Sequence, residues 1–385
     1  MSSSTDSASP SPVRTSNRLN LDYAREAQTF APRPRPIIDV HSHILGREAA
    51  RVYQDAARLY GIGLTYTMTP FEVIDGPREV LGDSLRFIAV PNWRAEDRRT
   101  EFTENFLRRI EDFHAIGSRM VKFWVAPRSR DMAREAGMEE ELLLNSPYRK
   151  RAMELATSLN MCFMAHVADP DTWFGTKYAD AERYGTKREQ YEPFEEVLAE
   201  FPQPWIGAHM GGWPEDLEFL SGLLDRHDNL YLDTSACKWM VRELSRHSRA
   251  DLLMFLQRYR GRILYGSDIV TADEHLVRTD DQDQPQYAKA HSPEDAFDLY
   301  ASRYWAYRVL FETDYEGESP ISDPDLHLVD PDRHAPEDAP RLAGKSLPGD
   351  LLDVLYTDAA HALLGPYHGD DPDVIPAAAA DAAAP

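Results

Sequence analysis

The sequence predicts an α/β fold, the (β/α)8 TIM barrel, on three observations. Short runs rich in β-branched and aromatic residues alternate with helical stretches eight times between residues 36 and 365, the pattern of parallel strands joined by helical crossovers. Ligand-type side chains (His41, His43, His166, His209 and Asp268) fall at the ends of those runs, where this architecture places its sites. No Gly-x-Gly-x-x-Gly follows the first run; Gly61 and Gly63 precede and open the second, which counts against the runner-up, an open doubly wound sheet.

The first strand is Ile37-Ile38-Asp39-Val40-His41-Ser42-His43. Its β-branched start favours a strand, and alternation of side chains puts His41 and His43 on one face, one pleat apart. Residues 46–60 have helical spacing with Gly61 placed to cap their end. Residues 62–67 read as a second strand, 70–81 as a short, imperfect helix and 85–90 as a third strand. Phe102, Phe106, Ile110 and Phe113 recur at three- to four-residue steps and predict a helix over 100–116. Residues 120–125 form the fourth strand, in which Lys122 shares parity with Met120 and Trp124 and faces either the barrel interior or the helix layer.

Ser146 is an N-cap candidate before Pro147, and strand five, 161–165, runs into His166. Residues 167–190, with Trp173, Phe174, Tyr178 and Tyr184, are too long and aromatic for a routine connection and are expected to cover the site. A helix over 193–201, a strand over 205–208 ending at His209, and a helix over 214–226 with Pro at its start come next. Residues 230–233 are strand seven, 241–259 one long amphipathic helix, and 262–266 strand eight, ending at Ser267-Asp268. The charged, Gln-rich stretch 273–290 reads as a second mobile loop, Ser292 caps a helix through 311, 315–347 is irregular, and 351–364 is a closing helix.

Lys and Arg number 42 against 65 Asp and Glu, a net charge of −23, which argues against nucleic-acid and anionic-membrane partners. Cys162 and Cys237 are too few for a disulfide framework, so reduced thiols and a cytoplasmic location are expected. No apolar run reaches the roughly 18 residues of a membrane span. Residues 1–35, rich in Ser, Pro and Arg, and 366–385, rich in Asp, Pro and Ala, are expected as disordered tails on a 36–365 barrel.

The other nine histidines sit on expected helices, loops or tails, where solvated or structural roles are the rule. Asp39-Val40-His41-Ser42-His43, Met164-Ala165-His166, Gly207-Ala208-His209-Met210-Gly211-Gly212, Leu264-Tyr265-Gly266-Ser267-Asp268 and the late Thr357-Asp358-Ala359-Ala360-His361-Ala362-Leu363-Leu364-Gly365 together resemble the amidohydrolase superfamily. More specifically, they resemble the amidohydrolase-related branch typified by aminocarboxymuconate-semialdehyde decarboxylase, over about residues 36–365. The resemblance implies that His41, His43, His166 and Asp268 bind one divalent metal ion, most often Zn2+, with Mn2+ or another divalent ion as alternatives. It also implies that His209 works just outside the coordination shell. Neutral imidazoles with one carboxylate suit such an ion and leave a position open for water or substrate.

In the chemistry this implies, Asp268 takes a proton from metal-activated water, while His209 polarises a substrate oxygen or protonates the leaving group. Some superfamily members carry a carboxylated lysine on strand four that bridges two metals. Lys122 is a candidate for that role, for binding a substrate anion, or for a snorkelling lysine; one metal is expected, because the nearest branch lacks the bridging lysine. Ile269-Val270-Thr271, without the proline common in the decarboxylases, and Ser235-Ala236-Cys237-Lys238-Trp239 depart from the branch. Arg94, Arg128 and Lys238 are candidate holders of a substrate carboxylate, Trp173 is a candidate substrate contact, and Cys237 is a packing residue.

The expected function is a metal-dependent hydrolase of a small ester, lactone or amide carrying a carboxylate. The alternatives are a non-oxidative decarboxylase of an aromatic or unsaturated acid and a non-catalytic barrel acting as a binding protein. A small-molecule substrate is the expected partner, and a homodimer is common among relatives.

Overall fold

A computed structural model describes residues 15–138, 142–278 and 289–369. Its parallel strands are β1 Ile37–His43, β2 Ile62–Thr67, β3 Leu85–Phe87, β4 Met120–Trp124, β5 Cys162–His166, β6 Trp205–Gly207, β7 Leu230–Asp233, β8 Ile263–Leu264 and β9 Ile269–Val270. They form two sheets, ordered β3-β2-β1-β9 and β4-β5-β6-β7-β8. Backbone hydrogen bonds join the sheets at both edges. The Ala89 N–H donates to the Met120 carbonyl (2.8 Å) and the Lys122 N–H to the Ala89 carbonyl (3.0 Å), while the Val40 N–H donates to the Tyr265 carbonyl (3.0 Å). Followed around, the strands run one to eight and back to one, the expected (β/α)8 barrel, with β9 continuing the eighth strand past Asp268.

The strands are buried on both faces, as in β5, where Cys162 to Ala165 are all covered; such a strand reads as an unbroken apolar run rather than an alternation. The surrounding helices bury one stripe each, as in Arg47–Leu59, whose Ala49, Tyr53 and Ala56 face the sheet. The barrel floor under His41 is polar. The Asp39 carboxylate accepts from the Ser267 hydroxyl (2.6 Å) and N–H (2.9 Å), the Tyr304 hydroxyl (3.1 Å) and the His41 N–H (3.2 Å). Burial outweighs these donors and lifts its pKa to about 7.

Several expectations are corrected. Residues 15–35 are ordered: Asp22 caps the helix Tyr23–Ala27, Tyr23 is buried against Trp305, and the Asn17 side-chain amide donates to Asp298 (2.9 Å). The Trp305 indole N–H donates to Glu26 (3.1 Å), and Arg308 donates to the Ala31 carbonyl (2.9 Å). Composition hid this because few residues there are apolar and their partners lie some 280 positions away. Residues 1–14 and 370–385 lie outside the described residues.

The helix expected over 241–259 is two, Cys237–Arg246 and Arg249–Arg258, because the Ser248 hydroxyl caps the second by accepting the Asp251 N–H. The helix expected from Pro214 starts at Leu217, behind its Asp216 cap. The helix expected over 100–116 breaks at Thr103, and the last helix continues to His368. The front of the 273–290 stretch is anchored: Asp273 accepts the Ala49 N–H (2.8 Å), and buried His275 meets the Tyr300 hydroxyl (2.9 Å). The stretch 315–347 includes a short antiparallel pair, Glu316–Glu318 with Arg341–Ala343.

Candidate metal centre

His41, His43 and Asp268 converge at the C-terminal mouth of the barrel, each offering a ligand atom within 4.8 Å of the others. The parity of β1 aims both imidazoles inward. The Asp268 carboxylate lies 3.3 Å from His43 Nε2 and 3.6 Å from His41 Nε2. Three strand ends turn into their loops through left-handed, non-glycine residues: His209 (φ 59°), Ala236 (φ 67°) and Asp268 (φ 58°). Such backbone costs roughly 1–2 kcal/mol per residue and persists only where neighbours fix it.

The fixing groups are visible. Asp233 accepts the N–H groups of His209 (2.8 Å) and Ser235 (3.0 Å), and the His41 carbonyl accepts the Asp268 N–H (2.7 Å). Gly266 lets the eighth strand pass, since a Cβ there would stand 3.0 Å from His41 Cβ.

Protons around Asp233 follow a consistent count. His41 Nδ1 lies 2.8 Å from Asp233 Oδ2 and 2.9 Å from the Ser235 hydroxyl oxygen. The Ser235 hydroxyl donates its single proton to Asp233 Oδ1, so it must accept from His209 Nδ1, 2.8 Å away. Both histidines then carry their proton on Nδ1 and keep a lone pair on Nε2. For His41 that lone pair is taken by Lys122 Nζ, which donates to it at 2.8 Å.

Charge states match. Burial, and then the Lys122 ammonium, lower the pKa of His41; burial and His166 hold His209 well below its ordinary value. Burial pushes Asp268 up, but the His43 bond and the fields of His41 and His209 outweigh it and hold the carboxyl well below the usual range. Asp233 is likewise held low by His41 against the burial penalty. These shifts favour the neutral imidazole at His41 and the ionised carboxylate at Asp268, the protonation states a divalent cation requires. The donor set fits such an ion once the Lys122 ammonium releases the His41 Nε2 lone pair that it now occupies. Lys122, inward and buried, is no snorkelling residue; burial lowers it to about 8 against the pull of Asp268 and Asp233.

His166 ends β5 beside this cluster but outside it. Its Nε2 lies 3.0 Å from Asp169 Oδ1, and its ring meets His209 edge-on at 4.4 Å. A second potential ligand group joins His41, His209 and Asp233. Asp233 is the residue the sequence reading missed, although its position at the end of strand seven was a usable signal.

A cavity of about 220 Å³ opens beside Asp268, lined among others by Trp173, Lys238, Trp239, Lys289, Tyr300 and Arg303. Trp173 and Trp239 meet edge-on at 4.9 Å, and Trp239 reaches His209 at 5.5 Å. Trp173 is pinned by its indole N–H to Asp325 (2.7 Å) and by Lys177 Nζ, 3.3 Å from its ring centroid. Asp325 belongs to a buried network in which Arg242 bonds Asp323 and Glu243, both at 2.5 Å, and Thr172 at 3.1 Å. Of the 167–190 segment, Trp173 lines this cavity. Lys238 and Trp173 line the cavity; Arg94 and Arg128 are exposed and are not among the residues lining it. Cys237 is a buried free thiol pushed up to about 12 by burial.

Among known proteins, the sequence model of a family described as Amidohydrolase matches residues 48–365. No curated protein matches the chain. Similar solved structures include an amidohydrolase from Burkholderia multivorans with bound HEPES (11% identity, 86% of this chain and 99% of that one, TM-score 0.42). A 5-carboxyvanillate decarboxylase from Novosphingobium aromaticivorans, complexed with manganese and 4-hydroxy-3-methoxy-5-nitrobenzoic acid, is another (12%, 70% and 90%, TM-score 0.35). A third is the HMG-CoA lyase of Bacillus subtilis (14%, 72% and 94%, TM-score 0.36). All three TM-scores lie below 0.5, so the sequence match alone carries the family. No described helix is long and apolar enough to cross a membrane.

Proposed function

The chain belongs to the amidohydrolase family, and from that premise we propose that it is a metal-dependent hydrolase of a small ester, lactone or amide bearing an anionic group. The convergence of His41, His43 and Asp268 within 4.8 Å carries this reading. These three residues would hold the ion, Zn2+ or Mn2+ by donor type, and His166 would have to turn from Asp169 to serve as the fourth ligand. A divalent ion in such a setting acidifies water and polarises a carbonyl oxygen.

The remaining chemistry belongs to the chain. Asp268, ionised at rest, takes the proton of the attacking water on its carboxylate. His209 holds its resting proton on Nδ1, so its Nε2 first receives the proton that Asp268 takes from water and then passes it to the leaving group. Its depressed basicity makes it a strong acid once charged, suited to protonating the leaving group. Asp233 and Ser235 fix the ring orientation of both histidines. Trp173 and Trp239 exclude water and hold the apolar part of the substrate.

The cation-lined cavity also supports a second reading, non-oxidative decarboxylation at the same centre. The deciding experiment offers ester, lactone, amide and unsaturated-acid panels to metal-loaded protein in H2(18)O. Label in the organic product establishes hydrolysis, CO2 release with an unlabelled organic product establishes the lyase, and a panel inert to both overturns the enzymatic reading.

A further inference from the structure

The wall of the cavity beside Asp268 carries three cations from three places in the chain: Lys238 in the helix Cys237–Arg246, Lys289, and Arg303 in the helix Pro293–Glu312. Among its described lining residues, Asp268 is the single carboxylate, and a metal ion would draw on that charge.

The three cations are poorly matched. Arg303 commits Nη1 to the Leu299 carbonyl (2.7 Å) and the Ser302 hydroxyl (2.8 Å), leaving Nε and Nη2 without a partner among the described residues. Lys238 and Lys289 make no hydrogen bond or ion pair among the described residues, and Lys238 feels Asp323 and Asp325 only through space. Desolvation, followed by the like charges of Lys238 and Arg303, holds Lys289 below its ordinary range, although its side chain stays exposed at the rim. Arg242, a short step away on the helix of Lys238, shows the contrast, with Asp323, Glu243, Asp325 and Thr172 all around its guanidinium. Partly desolvated cations on one wall with so few acceptors are costly unless a ligand completes them.

A single carboxylate would leave two of the three charges uncompensated. The forked guanidinium and two flexible ammonium groups suit a group with several anionic oxygens. The flanking Trp173, Trp239 and Tyr300 offer flat apolar faces to the body that carries it.

We propose that Lys238, Lys289 and Arg303 form a subsite for a doubly negative group, a phosphate monoester or a pair of adjacent carboxylates, on a substrate with a flat apolar body whose other end reaches the metal centre. This deepens the hydrolase reading and rests on it only for the reacting end of the ligand.

The test is quenching of tryptophan fluorescence in the full-length, metal-assayed protein, since Trp173 and Trp239 line the cavity. The probes are phenyl phosphate, phthalate, benzoate and benzyl alcohol. At low salt, phenyl phosphate or phthalate binds at least about tenfold tighter than benzoate, and whichever of the two binds tighter identifies the group. Arg303→Met and, at the exposed rim where folding is not at stake, Lys289→Met each weaken the dianion about tenfold and leave metal content unchanged. His43→Ala, which removes metal but not the cavity, keeps the preference for the dianion; loss of the preference there marks the metal as the anion site and overturns the subsite. No preference over benzoate, or a preference that survives Lys289→Met with Arg303→Met, also overturns it. Full metal retention in His43→Ala counts against the metal-centre reading and leaves the subsite standing.

Discussion

Asp268 divides the barrel mouth into two unlike regions. Toward β1 and β7, His41 has a partner for each ring nitrogen, and Asp233 accepts from two backbone N–H groups, the Ser235 hydroxyl and His41. Toward the helix Pro293–Glu312, three cations line one cavity with few acceptors between them. The first region is completed from within the chain and sets protonation states and ring directions in advance. The second is left incomplete, and incompleteness in a desolvated wall is where a ligand's own groups register.

The sharpest way to break this contrast is at the completed region. His41→Ala or Asp268→Ala is expected to bring bound metal, measured by atomic emission, and turnover down to background. Chelation of the wild-type protein should do the same reversibly and lower its Tm, because an ion bound at 100 times its Kd adds about 2.7 kcal/mol of stability. Unchanged metal content in both variants would dissolve the region as a site.

Asp233→Asn comes next. It keeps the shape but removes the charge that orients His41, and metal affinity should fall by about 10–100-fold with the ligands themselves intact. Asp325→Asn tests the cover over the incomplete region. Weakening the hold on Trp173 should cost about 1 kcal/mol of local order, read as a several-fold rise in KM with kcat little changed and metal retained. The smallest effect is expected at Arg94→Ala and Arg128→Ala. Both side chains are exposed and lie off the cavity wall, so kcat/KM should change by less than about twofold. A tenfold loss at either would extend the binding surface beyond the cavity.

The completed region was largely legible in the sequence. His41, His43, His209 and Asp268 each follow a strand-like run, and parallel alternation fixes such positions at one mouth. Asp233 follows the same rule but was passed over, because an acidic residue after Leu230-Tyr231-Leu232 carries no motif of its own. His166 was legible as a strand end but not as to its partner, since Asp169 lies in a loop whose turn is set by distant packing.

The incomplete region was mostly illegible. Lys289 and Arg303 share a wall with Lys238 because the helix Pro293–Glu312 lies against Cys237–Arg246, a contact between elements distant in sequence. Parity could not choose a side for Lys122, because β4 is buried on both faces.

The ordered N-terminal segment bears on how the chain can be cut. A boundary drawn at residue 36, where strand one begins, would remove Tyr23, Glu26 and the Ala31 carbonyl from the outer face of the helix Pro293–Glu312. Trp305 and Arg308 would be left facing solvent or a second molecule, and the same helix carries Arg303 on its inner face. A trimmed protein is thus expected to aggregate or lose anion affinity while every ligand-type residue of the mouth is still present in its sequence.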